Sequence, residues 1–178
     1  MELSRIFSRR AGRLAIYLTV VSLVVLADQD TKAAVRYTMP LGSPARTFIP
    51  GVLDLFHVEN TGAAFSMGEG RGLLFVIIAV AVLVGSLFWV GREKLPPYLV
   101  GSIACVAGGG VGNMVDRLAA GSVTDFLATT FISFPVFNVA DICVTLGVAV
   151  TFFGYLALDK KREQAARESG AGSRVGHA

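Results

Sequence analysis

The sequence is poor in the residues that most often carry chemistry. Among 178 residues there are two cysteines, two histidines and one tryptophan, and only 16% of the side chains are charged. Cys105 and Cys143 stand far apart, which excludes a disulfide scaffold and the paired spacings of zinc or redox sites. Each lies in an apolar stretch where a small polarisable side chain simply packs. His57 and His177 are too distant to suggest a site, and His57 is the only histidine outside the C-terminal tail, so no Ser-His or Cys-His pairing is available. Nucleotide motifs are missing too: G-x-G-x-x-G would need a glycine where Asn113 stands, and no lysine follows at Walker spacing. No internal repeat is visible, which argues against a transporter built from inverted halves.

What is abundant is apolar surface. Hydrophobic residues make up 53% of the chain, outside the ordinary soluble range, so the bilayer is the expected solvent. Four apolar stretches approach the roughly 17–25 residues needed to cross about 30 Å of hydrocarbon. They cover 14–27, 72–90, 99–115 and 137–158, and with flanking residues the expected spans are about 12–32, 72–90, 97–116 and 137–158. The first has a rival reading as a cleaved signal peptide, since four arginines precede an apolar core ending "VVLA". Against that, Ala33, Ala34 and Val35 continue a helix past the cut. With the amino terminus inside, cytoplasmic pieces carry eleven of the sixteen Lys and Arg: four before Leu14, Arg92 and Lys94, and five after Asp159. The pI near 9.1 then follows from topology, and no nucleic-acid partner is implied.

Residues 28–71 are too long and apolar for a plain connector. "RTFIPGVLDLFHVEN" holds two short strand-like runs around Pro50-Gly51, which predicts a small extracytoplasmic sheet, and the β-branched and aromatic run "TTFISF" is expected to join or cover it. On the inner side "GREKLPP" is a tight hairpin between Trp89 and Tyr98, and residues 160–178, polar and Gly/Ala/Ser-rich, are expected to be a disordered cytoplasmic tail. Residues 1–159 then form one membrane-embedded domain.

The unexpected polar residues gather at the outer ends of the spans. Asp28 and Lys32, four apart, share a helix face and can pair, either as an interfacial ion pair closing the helix or as part of a binding site. In "GGGVGNMVDRL", helical spacing puts Gly109, Asn113, Asp116 and Arg117 on one face, while Gly108 and Gly112 form a small-xxx-small pair for close helix approach. A structural network in which Arg117 satisfies Asp116 accounts for the same residues. Ser122-x-x-Asp125 and Asn138-x-x-Asp141 each resemble capping boxes. A cap explains one acid well, but less well why Asp28, Asp116, Asp125 and Asp141 collect at one membrane face beside Asn60, Asn113 and Asn138.

Asp141 sits about one turn inside an apolar run, where an ionised carboxylate costs several kcal/mol even on lenient scales. Two carboxylates brought together in low dielectric share a proton and can hold a water between a general base and a general acid. Hydrolysis by an Asp dyad is the chemistry this inventory permits. A divalent metal on the same acids is the alternative, with Arg117 and Lys32 already supplying positive charge nearby. So is a proton-coupled transporter or channel with an acid-lined cavity.

"DQDTK" (28–32), "ENTGAAFS" (59–66), "GGGVGNMVDRLAAGSVTDF" (108–126) and "FNVAD" (137–141) together resemble the bacterial lipoprotein signal peptidases, signal peptidase II. The resemblance runs from Asp28 to the fourth span. It implies an all-α membrane protein with a small β element: four transmembrane helices, an extracytoplasmic β-cradle and a short lid helix. It also implies an aspartic endopeptidase of the bacterial inner membrane; a monomer working among membrane lipid without cofactor or metal is expected. Such an enzyme releases the signal peptide of diacylglyceryl-modified prolipoproteins by cutting before the lipid-bearing Cys. Asp125 and Asp141 match the catalytic dyad, and Asn60, Asn113, Arg117 and Asn138 match polar residues lining substrate and dyad. Among them, Asn138 is expected to steady the tetrahedral intermediate. Asp28, Lys32 and Asp116 match residues of structural support, beside Gly108 and Gly112.

Overall fold

The computed structural model describes residues 10–62 and 72–175, with side chains through 168 in the last helix. Four helices, α1 (Arg10–Thr38), α2 (Gly72–Arg92), α3 (Pro97–Ala120) and α4 (Val139–Val175), are long and apolar enough to cross a membrane. Strands β1 (Arg46–Ile49), β2 (Leu53–Asn60) and β3 (Val123–Thr129) form one antiparallel sheet in the order β1-β2-β3 at one end of the bundle. The expected fold class is therefore what the chain adopts. No short lid helix occurs among the described residues, and residues 63–66 of the "ENTGAAFS" stretch lie outside them, as do Arg5, Arg9 and His177.

Helix α3 is the hub. Its buried Leu99, Val100, Ile103, Ala104 and Ala107 pack with Tyr17 of α1 and Val90 of α2 into the main apolar core. It starts at Pro97 in the first turn, where a missing N–H costs nothing, and stops at Gly121, whose φ of 76° lets its N–H cap the Arg117 carbonyl at 3.1 Å. Glycines set how closely its neighbours approach. A Cβ on Gly108 would lie 2.8 Å from Val24 Cβ, one on Gly112 2.5 Å from Asp28 Oδ2, and one on Gly109 would collide with the Ala140 carbonyl. Gly108 and Gly112 thus admit α1, as their spacing predicted, while Gly109 admits α4.

The sheet realises the Pro50-Gly51 expectation. Val52 N–H donates to the Ile49 carbonyl at 3.0 Å around Pro50 and Gly51, with Gly51 at φ 72°, the type II pattern. The third strand departs from expectation. It is "VTDFLAT", upstream of the "TTFISF" run, and it carries Asp125 in the middle of a ladder rather than in the first turn of a helix. After the Gly121 reversal, β-forming Val, Thr and Phe find the open edge of β2, and tertiary pairing overrides the local capping pattern. The free side of β3 is then held by Phe137: its N–H donates to the Leu127 carbonyl at 3.0 Å, and its own carbonyl accepts from Leu127 at 2.8 Å. That clasp delivers the start of α4 beside the strand.

Helix α4 also exceeds its expected end at 158. The residues read as a disordered tail continue it to Val175, because Lys, Arg, Glu, Gln and Ala after Asp159 are good helix formers. Arg162 Nη2 donates to the Lys94 carbonyl at 3.1 Å, tying this extension to the α2–α3 turn.

Candidate active site

Asp125 and Asp141 come from different elements and meet through asparagines. Asp125, 3% exposed, accepts from Asn60 Nδ2 at 2.9 Å and from Asn138 Nδ2 at 2.7 Å, one on each oxygen. Asp141 accepts from Asn113 Nδ2 at 2.8 Å on Oδ1 and from the Asn138 backbone N–H at 3.0 Å on Oδ2. Asn138 Oδ1 in turn accepts the Asp141 N–H at 3.0 Å. Asn138 and Asp141 therefore form a reciprocal capping box, and the cap and the second carboxylate are one device. Half of the capping expectation holds: it is right for Asn138–Asp141 and wrong for Ser122–Asp125.

The polarity of these amides is forced. Lys32 Nζ, which can only donate, bonds Asn113 Oδ1 at 2.9 Å, and Asn138 Nδ2 bonds the same oxygen at 3.0 Å. The Asn113 NH₂ must therefore face Asp141. Lys32 spends its other two N–H groups on Asp28 Oδ2 and Asp116 Oδ2, both at 2.8 Å. Lys32 and Asp28 are fully buried, and Asp28 Oδ1 reaches across to accept the Ala140 N–H of α4 at 3.0 Å. Buried charges persist only when paired and bonded in this way. The ion pair expected between Asp28 and Lys32 is present, but Arg117 does not satisfy Asp116. Asp116 faces α1, with Lys32, Gln29 at 3.1 Å and Arg36 at 3.7 Å, and shares the Lys32 ammonium with Asn113.

Arg117 instead turns the other way. Its Nη2 donates to the Gly62 carbonyl at 2.8 Å, its guanidinium lies 4.8 Å from the Phe75 ring centroid, and its buried Nε has no hydrogen-bond partner among the described residues. It lines a cavity of about 670 Å³ together with Asn60, Asn113, Asp125 and Asp141, walled by apolar side chains of α2 and α4 such as Ile78, Val82 and Leu146. A second, almost wholly apolar groove of about 540 Å³ continues from it between the same helices, sharing Val82 and Val106. Asn138 is absent from the cavity wall. It stands behind the carboxylates, and both its N–H groups and its oxygen are committed, so it has no donor left to steady an intermediate as expected.

Electrostatically the two acids differ. Asp125 lies on a strand, and burial pushes its carboxyl up from 3.8 to about 6; the Asn60 and Asn138 bonds and the Lys32 charge pull it back, while Asp141 adds to the rise. Asp141 sits in the first turn of α4 and accepts from two N–H groups. Among the described residues no three of His, Cys, Asp and Glu converge to hold a metal ion.

Residues 20–157, a stretch that includes every one of these groups, match the family model of signal peptidase (SPase) II. The chain belongs to the signal peptidase II family. It is 42% identical over 151 residues to a lipoprotein signal peptidase of Symbiobacterium thermophilum, an alignment covering 83% of this chain and 97% of that one. A second relative of the same name, from Enterococcus faecalis, is 40% identical over 150 residues, covering 83% and 91%. Two solved structures, described as bacterial membrane enzymes studied by the in meso method at 2.3 and 1.9 Å, superpose with TM-scores of 0.74 and 0.72. Both are 29% identical and cover 79% of this chain, and 87% and 92% of their own. As a signal peptidase II family member the chain is a multi-pass membrane protein and a peptidase.

Several participants in this signal peptidase II site were not singled out from sequence. Gln29 spans Asp28, Asp116 and the Gly112 carbonyl. Glu59 gathers Ser122, Thr124 and His57. Both lie inside quoted motifs, and only the motif context hinted at them.

Proposed function

We propose that this chain is a membrane aspartic endopeptidase that removes signal peptides from diacylglyceryl-modified prolipoproteins, cutting before the lipid-bearing Cys. The observation that carries the reading is that Asp125 and Asp141 share one cavity and one tether, Asn138. Asp125, whose proton affinity is raised by burial, is the general acid that protonates the carbonyl oxygen or leaving amine. Asp141, at a helix start and facing two N–H donors, is the general base for water. Arg117, whose side chain lines the cavity, is placed to meet a substrate carbonyl, and Asn60 and Asn113 hold the acids in place. The apolar groove between α2 and α4 suits a signal helix lying in the bilayer, whose burial supplies binding energy. In this reading both termini are cytoplasmic, the cavity opens near the outer face, the enzyme acts as a monomer, and the acids need neither metal nor nucleotide.

The test is incubation of the purified protein in lipid or detergent with a lipid-modified and an unmodified prolipoprotein, with and without EDTA. Shortening of only the modified form, unaffected by chelation and abolished in Asp125→Asn and in Asp141→Asn, is the expected result. Cleavage at the normal rate in either variant removes the dyad. Loss with EDTA and recovery with Mg²⁺ or Zn²⁺ replaces it with metal chemistry. Carboxylate-dependent flux across vesicles without shortening makes the protein a transporter.

A further inference from the structure

The sheet contains a fastening outside the dyad and its asparagines. On β2 and β3 side chains alternate between two faces. Asn60 and Asp125 project to the cavity face, where they bond; Glu59, Ser122 and Thr124 project to the opposite face. There the Glu59 carboxylate accepts from Ser122 Oγ at 2.6 Å on Oε2 and from Thr124 Oγ1 at 2.9 Å on Oε1. It grips at once Ser122, just before β3, and Thr124 of β3, the immediate neighbour of Asp125. Thr124, 2% exposed, is saturated: its hydroxyl also accepts from Arg36 Nη1 at 2.9 Å.

The grip matters because β2 is irregular just before it. Between the pairs Leu55↔Leu127 and Val58↔Asp125, β2 advances one residue further than β3, a bulge beyond which the pairing takes a register of its own. A slip of one residue would turn Asn60 away from Asp125. A carboxylate bound to residues 122 and 124 together fits one register only.

We propose that Glu59 is a positioning residue for the reaction, clamping β2 on β3 in the register in which Asn60 holds Asp125. This rests on the dyad reading of Asp125. Glu59 is faced by His57 Nε2 at 3.3 Å on its own strand. Through Thr124 it meets Arg36 of α1 and, at the Thr124 N–H, Asp116 of α3. Asp125 faces Asp141 of α4, Lys32 of α1 and Arg117 of α3. None of these groups bonds both Ser122 and Thr124, so the clamp belongs to Glu59.

The test is a double-substitution cycle on prolipoprotein cleavage by the full-length protein. Glu59→Ala is expected to lower kcat by about 10- to 100-fold with KM little changed, the scale of a misplaced catalytic group. Because the Asn60 bond holds the Asp125 proton affinity down, Glu59→Ala and Asn60→Ala should both move the alkaline limb of the pH profile upward. In an Asn60→Ala background, Glu59→Ala should cost nothing further. Glu59→Gln, which keeps one acceptor, recovers part of the rate. If Glu59→Ala does not accumulate folded, Ser122→Ala and Thr124→Val remove the β3 end of the clamp and should shift rate and limb the same way. Losses that multiply in the double variant, or a lowered melting temperature with kcat and pH limb unchanged, overturn the proposal. If Asp125→Asn cleaves normally, the dyad reading has failed and the clamp falls with it; if Asp125→Asn is inert and Asn60→Ala impaired while Glu59→Ala is normal, the clamp alone is wrong.

Discussion

Asn138 Nδ2 donates to Asp125 Oδ1 at 2.7 Å, and this single bond ties the start of a membrane helix to the middle of a strand. Everything else about Asn138 is also in use: its oxygen caps α4, its second N–H meets Asn113, and its backbone N–H meets Asp141. A side chain with no free donor cannot steady an oxyanion. It can only fix how two carboxylates face one cavity.

Asn138→Ser separates those duties. Serine is as good an N-cap as asparagine, so α4 should keep its first turn and the melting temperature should move little. Its hydroxyl is too short to reach Asp125 and Asn113. We expect kcat to fall by about 10²-fold, the scale of a 1 Å misplacement of a reacting group. Cleavage kinetics alongside thermal unfolding check this, and a variant that is stable and fully active would refute the tether.

Asp125 makes the pH dependence specific in sign. Its carboxyl titrates near 6 in the folded chain, against 3.8 ordinarily. If it donates a proton in the rate-limiting step, kcat/KM should decline as pH rises through about 6, and the limb belongs to the coupled pair rather than to one residue. The raised value also means that the folded chain holds this proton more tightly than the unfolded chain. The stability it contributes is complete below about 4 and is lost as pH climbs through 6. A rate profile that instead increases through pH 6 would exchange the roles of the two acids.

The four helices were legible because long apolar runs report themselves, and the hairpin of β1 and β2 because Pro50-Gly51 is a strong turn signal. The site was legible by motif, and its wiring was not. Ser122-x-x-Asp125 has the letters of a helix cap, and only the open edge of β2 turns it into a strand. Asp116 stands next to Arg117 in sequence, yet on a helix neighbours diverge by about 100°, and Lys32 of another helix takes it. Gln29 and Glu59 act through contacts more than 60 residues away in the chain, for which local spacing carries no signal. The continuation of α4 past 158 was lost to a compositional reading of its polar end.

Two adjacent glycines give a sharp comparison. A methyl group on Gly109 would strike the Ala140 carbonyl and lie 2.7 Å from Val144 Cγ2, pushing away the first turn of α4 that bears Asp141; on Gly110 it would meet nothing nearer than Ala79 Cβ at 3.8 Å. Gly109→Ala should therefore cost about 1–3 kcal/mol of stability and much of the activity. Gly110→Ala should be neutral or gain up to about 1 kcal/mol from helix propensity. Thermal unfolding and cleavage rates of the pair decide it, and equal behaviour would mean that α3 and α4 yield easily at this crossing.

Lys32 lets stability and activity be pulled apart. Its ammonium stands between Asp28 and Asp116 with no exposure, so Lys32→Met strands two buried carboxylates and should destabilise the chain by about 3–5 kcal/mol. Adding Asp28→Asn and Asp116→Asn removes those charges, and the melting temperature should largely recover. Activity should not recover with it. Without the Lys32 N–H, the Asn113 oxygen keeps only the Asn138 N–H at 3.0 Å, so the amide that presents its NH₂ to Asp141 is held less firmly. A triple variant that is stable and inactive would identify Lys32 as a group that holds the Asn113 amide in its working position. A stable variant with normal cleavage would reduce it to a counter-ion.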